Sequence, residues 1–96
     1  MMIQHKQEGY KGSFYVEVEG TTLAEITFSL AGTELMIIDH TDVSDALRGK
    51  NVGYQLVKNA VEYARANSMK IIPLCPFAKA MMEKRKDEFG DVQRPN

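Results

Sequence analysis

The chain has 96 residues, 12 Lys+Arg against 13 Asp+Glu, a formal net charge of −1 and 44% hydrophobic residues. A chain of that size holds one core and excludes a second, so residues 1–96 are read as a single domain. Balanced charge argues against a nucleic-acid partner, whose phosphates are bound mainly by excess Lys and Arg, and the single cysteine, Cys75, excludes an internal disulfide and a Cys-rich zinc site.

The first ten residues and the last four, Gln93-Arg94-Pro95-Asn96, carry no apolar pattern and are read as loose ends. From Ser13 to Glu19 apolar and polar residues alternate, with Phe14, Val16 and Val18 on one face, as a half-buried strand requires. After the turn Gly20-Thr21-Thr22, Ala24, Ile26, Phe28 and Leu30 repeat the alternation and predict the second arm of a hairpin. The third run, Leu35 to Val43, opens on four consecutive apolar residues and predicts a central strand covered on both faces.

Helical periodicity begins only after Gly49. Val52, Leu56, Val57, Ala60, Val61 and Ala64 recur at spacings of three and four, predicting an amphipathic helix that ends near Asn67-Ser68. Lys70 to Cys75 follows as a short strand, and Pro73 suits an edge or a bulge. Pro76 fits the first position of a last helix running from Phe77 to about Phe89 and stopped at Gly90. The predicted order β-β-β-α-β-α is mixed α+β: an antiparallel three-strand meander, a βαβ crossover and a C-terminal helix. No apolar run approaches the ~20 residues of a membrane span, so a cytoplasmic protein without a membrane partner is expected.

Ligands of such sheets sit at the carboxyl ends of strands, where the order of connection changes. Here that is Val43 to Gly53 and Leu74 to Phe77. In Arg48-Gly49-Lys50-Asn51-Val52-Gly53-Tyr54 the glycines let the backbone turn its N–H groups inward at the positive end of a helix dipole, while Arg48 and Lys50 add charge. A diphosphate fits that arrangement, and so does a plain turn with a cap. His5 stands in the loose end, and two histidines without paired carboxylates make no metal site.

The loop resembles the signature of the GNAT superfamily of N-acetyltransferases, Arg/Gln-x-x-Gly-x-Gly/Ala, with Arg48, Asn51 and Gly53 in the three motif positions. Asn51 departs from the usual glycine, and Asn is among the residues that best tolerate a left-handed backbone. The segments Ile38-Asp39-His40-Thr41-Asp42-Val43, Leu56-Val57-Lys58-Asn59-Ala60 and Lys70-Ile71-Ile72-Pro73-Leu74-Cys75-Pro76-Phe77 extend the likeness. Together they are similar to short YjdJ-type N-acetyltransferases, which resemble a GNAT core without its first strand-helix-helix segment and last hairpin. The resemblance implies acetyl-CoA as the acetyl donor, its pyrophosphate on Arg48, Gly49, Lys50, Asn51, Val52, Gly53 and Tyr54. It also implies a pantetheine arm along the backbone of Thr41, Asp42 and Val43, and no metal.

Many members of that superfamily use a tyrosine after the fifth strand as the general acid, and this chain has none beyond Tyr63. Cys75 is the nearest substitute by position, and as the residue before Pro76 it stands where a helix dipole lowers a thiol pKa. His40 and Cys75 are therefore the expected catalytic pair: His40 to deprotonate the amine, Cys75 to donate a proton to CoA or to accept the acetyl group. A buried structural thiol and a structural strand histidine are the alternatives. The expected activity is acetyl-CoA-dependent N-acetylation of an amine by a monomer or weak dimer. A CoA-binding module with little chemistry is the other reading.

Overall fold

The computed structural model describes residues 2–94. Its elements are β1 (Gln4–Glu8), β2 (Lys11–Val18), β3 (Thr21–Ala31), β4 (Leu35–Val43), α1 (Val52–Ala66), β5 (Lys70–Pro73), α2 (Pro76–Lys84) and α3 (Lys86–Phe89). The sheet runs in the order β1-β2-β3-β4-β5, antiparallel up to β4 and parallel between β4 and β5. The mixed α+β reading holds, and β4 is interior as its apolar run predicts, but it is not covered on both faces: Met36 and Ile38 are buried under the helices, whereas Leu35 and Ile37, on the face without a helix, are only partly buried. Pro73 lies in an edge strand, where its missing N–H breaks no ladder between two partners.

Two expectations at the ends change. The meander has four strands rather than three, because Gln4–Glu8 pairs antiparallel with β2. Nothing in Gln-His-Lys-Gln-Glu is apolar, yet His5 stacks on Phe14 with ring centroids 4.6 Å apart and meets Tyr63 edge-on at 5.4 Å. Tyr63 also donates a hydrogen bond to Gln7 Oε1 at 3.2 Å. An aromatic and an amide thus do the work that Val or Ile does in other strands.

At the other end the last helix breaks at Arg85 (φ −111°, ψ 46°), and the short α3 turns Phe89 inward to 1% exposure. Gly90 does not end the helix in a left-handed turn. It stays right-handed and leads through a 3₁₀ turn (Gly90–Val92) to Gln93, which bridges Ile71 of β5. Arg94 N–H donates to the Ile71 carbonyl at 2.9 Å, so residues expected to be loose cover part of the open edge of β5. Pro95 and Asn96, also expected to be loose, lie outside the described residues.

Arg65 ties this segment to α1 through a two-point contact with Asp91, at 2.9 and 2.8 Å. That hydrogen bond, against a smaller opposing effect of burial, holds the Asp91 carboxyl below its ordinary value of 3.8. A depressed acid stabilises the fold above its unfolded pKa and loses that contribution as pH falls through its folded one. Asp91→Asn is therefore expected to lower the thermal midpoint slightly at pH 7, with the difference closing under acid below pH 3.8; the size is modest because the pair is exposed. Parallel melting curves across that range check it.

The core lies on one face of the sheet. Phe14, Val16, Ala24, Ile26, Phe28, Met36, Ile38 and Ile71 pack under Leu56, Val57, Ala60, Val61 and Ala64 of α1 and Ala78 and Met82 of α2. The opposite face carries the other half of the alternation, including Tyr15, Glu25, Thr27, Ser29 and Asp42, and no helix is paired with it among the described residues.

Candidate functional site

β4 and β5 pair only as far as Ile38 and Pro73. The N–H groups of Leu74 and Cys75 then both donate to the Ile38 carbonyl, at 3.0 and 3.2 Å, and β5 leaves the sheet. β4 runs on alone to Val43, bonded to β3 on one side only, so the backbone of Asp39 to Val43 is open on the other. A bulge at the same point sharpens the parting: Thr27 pairs with His40 and Phe28 with Ile38, leaving Asp39 as the extra residue. A bulge bends its strand and increases the local twist.

The turn after β4 faces this opening from the carboxyl end of the strand. Ser44 caps a 3₁₀ turn, accepting from the Ala46 N–H at 3.2 Å, and Leu47 anchors the turn in the core. Gly49 (φ +82°) and Asn51 (φ +59°) then both take left-handed backbone and bring the chain onto α1. No side chain caps α1 and no acidic residue stands in its first turn. The N–H groups of Val52, Gly53 and Tyr54, which helix geometry leaves without acceptors, are thus open at the positive end of the dipole.

The side chains sort into those that could meet an anion and those that hold the turn. Lys50 is exposed with no carboxylate within 4.0 Å among the described residues, whereas Arg48 is engaged by Asp45 at 2.8 Å. Val52 is buried at 2% and serves as an anchor. The Tyr54 ring points away, stacking on Phe89 at 5.7 Å beneath the Arg85 guanidinium at 4.3 Å. Its phenol donates to Glu88, and that bond, with burial and the neighbouring negative charge, raises the phenol pKa. Val52 and Tyr54 therefore offer only backbone to a ligand.

Gly53 differs from its sequence reading. It sits inside α1 without positive φ, and a Cβ there would meet Phe77 Cζ at 2.5 Å. The left-handed turn belongs to Gly49 and Asn51; Gly53 lets the aromatic ring of α2 lie on the first turn of α1.

Cys75 is 6% exposed and is the N-cap residue of α2, as its place before Pro76 predicts. Its Sγ lies 3.4 Å from Thr41 Oγ1, spanning the opening between the diverging strands. Burial pushes the thiol up, but the Thr41 hydroxyl and the amides of Ala78 and Phe77 more than offset it, so Cys75 titrates below its ordinary value. Those amides turn toward the sulfur without closing a cap hydrogen bond. Thr41 can accept from the thiol and, once it ionises, donate to the thiolate.

His40 lies elsewhere. It is exposed and pairs with Thr27, whose hydroxyl donates to the His40 carbonyl at 3.5 Å. Thr41, the next residue, pairs with buried Ile26 on the helix-covered face. His40 and Cys75 thus sit on opposite faces of β4. Sequence spacing places them toward the ends of the two diverging strands and cannot show this, because the Asp39 bulge decides which residues share a face.

A family model of GCN5-related N-acetyl-transferases matches residues 13–92. A GCN5-like N-acetyltransferase candidate from Staphylococcus aureus, solved by NMR, is 43% identical with a TM-score of 0.72, the match covering 97% of this chain and 89% of that one. A ribosomal-protein-alanine N-acetyltransferase from Brucella melitensis shares 19% identity over 94% of this chain and 65% of its own, with a TM-score of 0.62. AAC(6')-Iy, solved in complex with the bisubstrate analogue CoA-S-monomethyl-acetylneamine, shares 12% identity over 93% of this chain and 68% of its own, with a TM-score of 0.56. The last two show a shared fold. A search of curated proteins finds no match. A family match over most of the chain and a relative 43% identical over 97% of it agree: the protein belongs to the GCN5-related N-acetyltransferases, acetyl-CoA-dependent enzymes of this fold.

Proposed function

We propose that acetyl-CoA binds at the carboxyl end of β4, as in a short YjdJ-type enzyme, with two proton-handling side chains on opposite faces of that strand. One coincidence carries the reading: the unpaired edge of β4 past Ile38 meets an α1 N-terminus with open amides, no acidic neighbour and an unpaired Lys50. Gly49, Asn51, Val52, Gly53 and Tyr54 would offer backbone N–H groups to the pyrophosphate, with Arg48 and Lys50 supplying charge. The backbone of Thr41, Asp42 and Val43 would meet the amides of the pantetheine arm. Acetyl-CoA supplies the acetyl group as a thioester.

The opposed faces then divide the labour. His40, on the open face, takes a proton from an amine arriving on that side. Cys75, on the helix side, holds at Sγ the proton that the departing sulfur needs, and burial shields it from solvent. Calorimetry with acetyl-CoA and CoA, paired with thiol release over a panel of amines, tests the assignment. Tight binding without turnover selects the CoA-binding module instead, a reading favoured by the lack of any tyrosine in α2. No binding overturns both.

Cys75→Ala and His40→Ala are each expected to lower the acetyl-transfer rate about 10²–10⁴-fold, the ordinary range for general acid–base groups. Rates within a factor of a few of wild type remove the residue concerned from the mechanism. The pH profile gives an independent readout. A Cys75 that must be protonated imposes an alkaline limb at its lowered pKa, and Thr41→Val, which deletes a pKa-lowering hydroxyl, moves that limb to higher pH. An unmoved limb excludes Cys75 as its source.

A further inference from the structure

The open face of the sheet carries a groove of about 630 Å³, a volume typical of small-molecule sites, lined among others by Lys6, Lys11, Ser13, Glu25, Thr27 and Asp39. Strand pairing sets Lys6, Ser13, Thr27 and His40 in one row across β1 to β4; the first three line the groove, and His40 follows next in the row, beside the lining residue Asp39. Ser13 lies in its lining at 3% exposure, and its hydroxyl has no hydrogen-bond partner. A buried hydroxyl left unpaired is a standing cost, which a ligand atom removes once the side chains covering Ser13 Oγ move aside.

The two ends of the groove differ in what is left to bind charge. At one end Lys11 stands opposite Glu8, which also lines the groove, yet no carboxylate lies within 4.0 Å of it among the described residues, and its ammonium lies 5.8 Å from the Tyr10 ring centroid. Lys6, between the ends, is already held by Glu25 at 3.5 Å and lies over Tyr15 at 4.8 Å. At the other end is Asp39, the bulged residue just past the last β4–β5 pair. The Ser29 hydroxyl donates to Asp39 Oδ2 at 2.7 Å, which orients the carboxylate and leaves Oδ1 for a ligand. The acidic end therefore abuts the opening between β4 and β5, and the basic end lies two strands away.

We infer that this groove is the acceptor site and that it takes a short free amino acid, its ammonium at Asp39 and its carboxylate at Lys11, with the Ser13 hydroxyl bonding to the acceptor between them. The inference rests on the acetyl-CoA site proposed above. A simple alkylamine would leave Lys11 unanswered, and a diamine would bring a second cation to it. In the reaction the amine nitrogen bonds to the acetyl carbon and the carbon–sulfur bond breaks. Of the two protons the ammonium loses, one passes through His40 to solvent, and the other, released as the amide forms, returns by way of solvent to Cys75, replacing the proton that Cys75 gives to the CoA sulfur.

Thiol release from acetyl-CoA with glycine, β-alanine and γ-aminobutyrate, each beside an alkylamine of matched length, tests the idea. The amino acids should show kcat/KM at least about tenfold higher, as expected where a site's polar group is left unpaired by the poorer substrate. Lys11→Gln should collapse that ratio to within about threefold, and Lys11→Arg should restore it. Equal rates for amines and amino acids, or a ratio untouched by Lys11→Gln, overturn the inference. If nothing turns over, NMR titration with β-alanine in the presence of CoA decides: shifts at the Lys11, Ser13, Thr27 and Asp39 amides support the groove, and their absence at saturating concentration overturns it. A lack of acetyl-CoA binding by calorimetry counts against the cofactor site alone, since the titration reads the groove separately.

Discussion

Replacing Phe28 by alanine is expected to remove about 3–5 kcal/mol of stability, the range for deleting a fully buried aromatic side chain. Phe28 is 1% exposed and contacts the rings of Phe14 and Tyr63, with centroids 5.7 Å away in each case. The site is poorly able to collapse, because the neighbour beneath the ring is Gly12, where a Cβ would lie 2.5 Å from Phe28 Cζ. Gly12 has no side chain to fall into the hole. A domain of this size has about 5–15 kcal/mol in total, so the variant should unfold at a much lower urea midpoint with an unchanged slope. A loss below about 1.5 kcal/mol would show that His5 and Tyr63 repack into the space. The consequence reaches function too, since Phe28 pairs with Ile38, the last residue before β4 and β5 part.

Gly53→Val should weaken CoA binding at least about tenfold, or 1.4 kcal/mol, while the protein stays folded. The added branches fall beside the open amide of the second residue of α1 and into the Phe77 ring. Phe77 is 43% exposed and can swing outward, which limits the cost to stability. Isothermal calorimetry on the single variant and on Gly53→Val with Phe77→Ala separates the two effects. If the amides of the turn hold the pyrophosphate, relieving the clash leaves the affinity low. Full recovery in the double variant would place the defect in the packing of α2 on α1 and remove Gly53 from the phosphate loop.

The elements that the sequence makes legible are those whose residues alternate or recur against a packed face. β2 and β3 show a period of two because one side is buried and the other is open, and α1 shows its apolar stripe for the same reason. β1 escapes that logic: it is an edge strand whose inward residues, His5 and Gln7, are polar and are held across the fold by Phe14, Phe28 and Tyr63. The kink at Arg85 and the return of Gln93 to β5 are likewise set by long-range packing, through the burial of Phe89 and Val92.

The loop was readable for a different reason. Backbone that must be left-handed restricts residue choice locally, so Gly49 and Asn51 announce the turn whatever surrounds them. Likewise Pro76 announces a helix start and places Cys75 at its cap. What Gly53 does was hidden, because the reason for its missing side chain is a ring that arrives from α2.

Sequence alone therefore determined the mixed α+β fold, the anion-suited turn after the third predicted strand and the residue types available for proton transfer, all of which follow from local backbone preference and periodicity. Tertiary structure decided how those residues are distributed. One bulged residue, Asp39, sets His40 on the open face and Thr41 beside Cys75 on the other, and β5 departs at Ile38 to open the strand between them. Such relations depend on which strand pairs with which and where pairing stops, and no short window of sequence contains that. The single cysteine that excluded disulfides is the side chain that this geometry sets across the opening from Thr41.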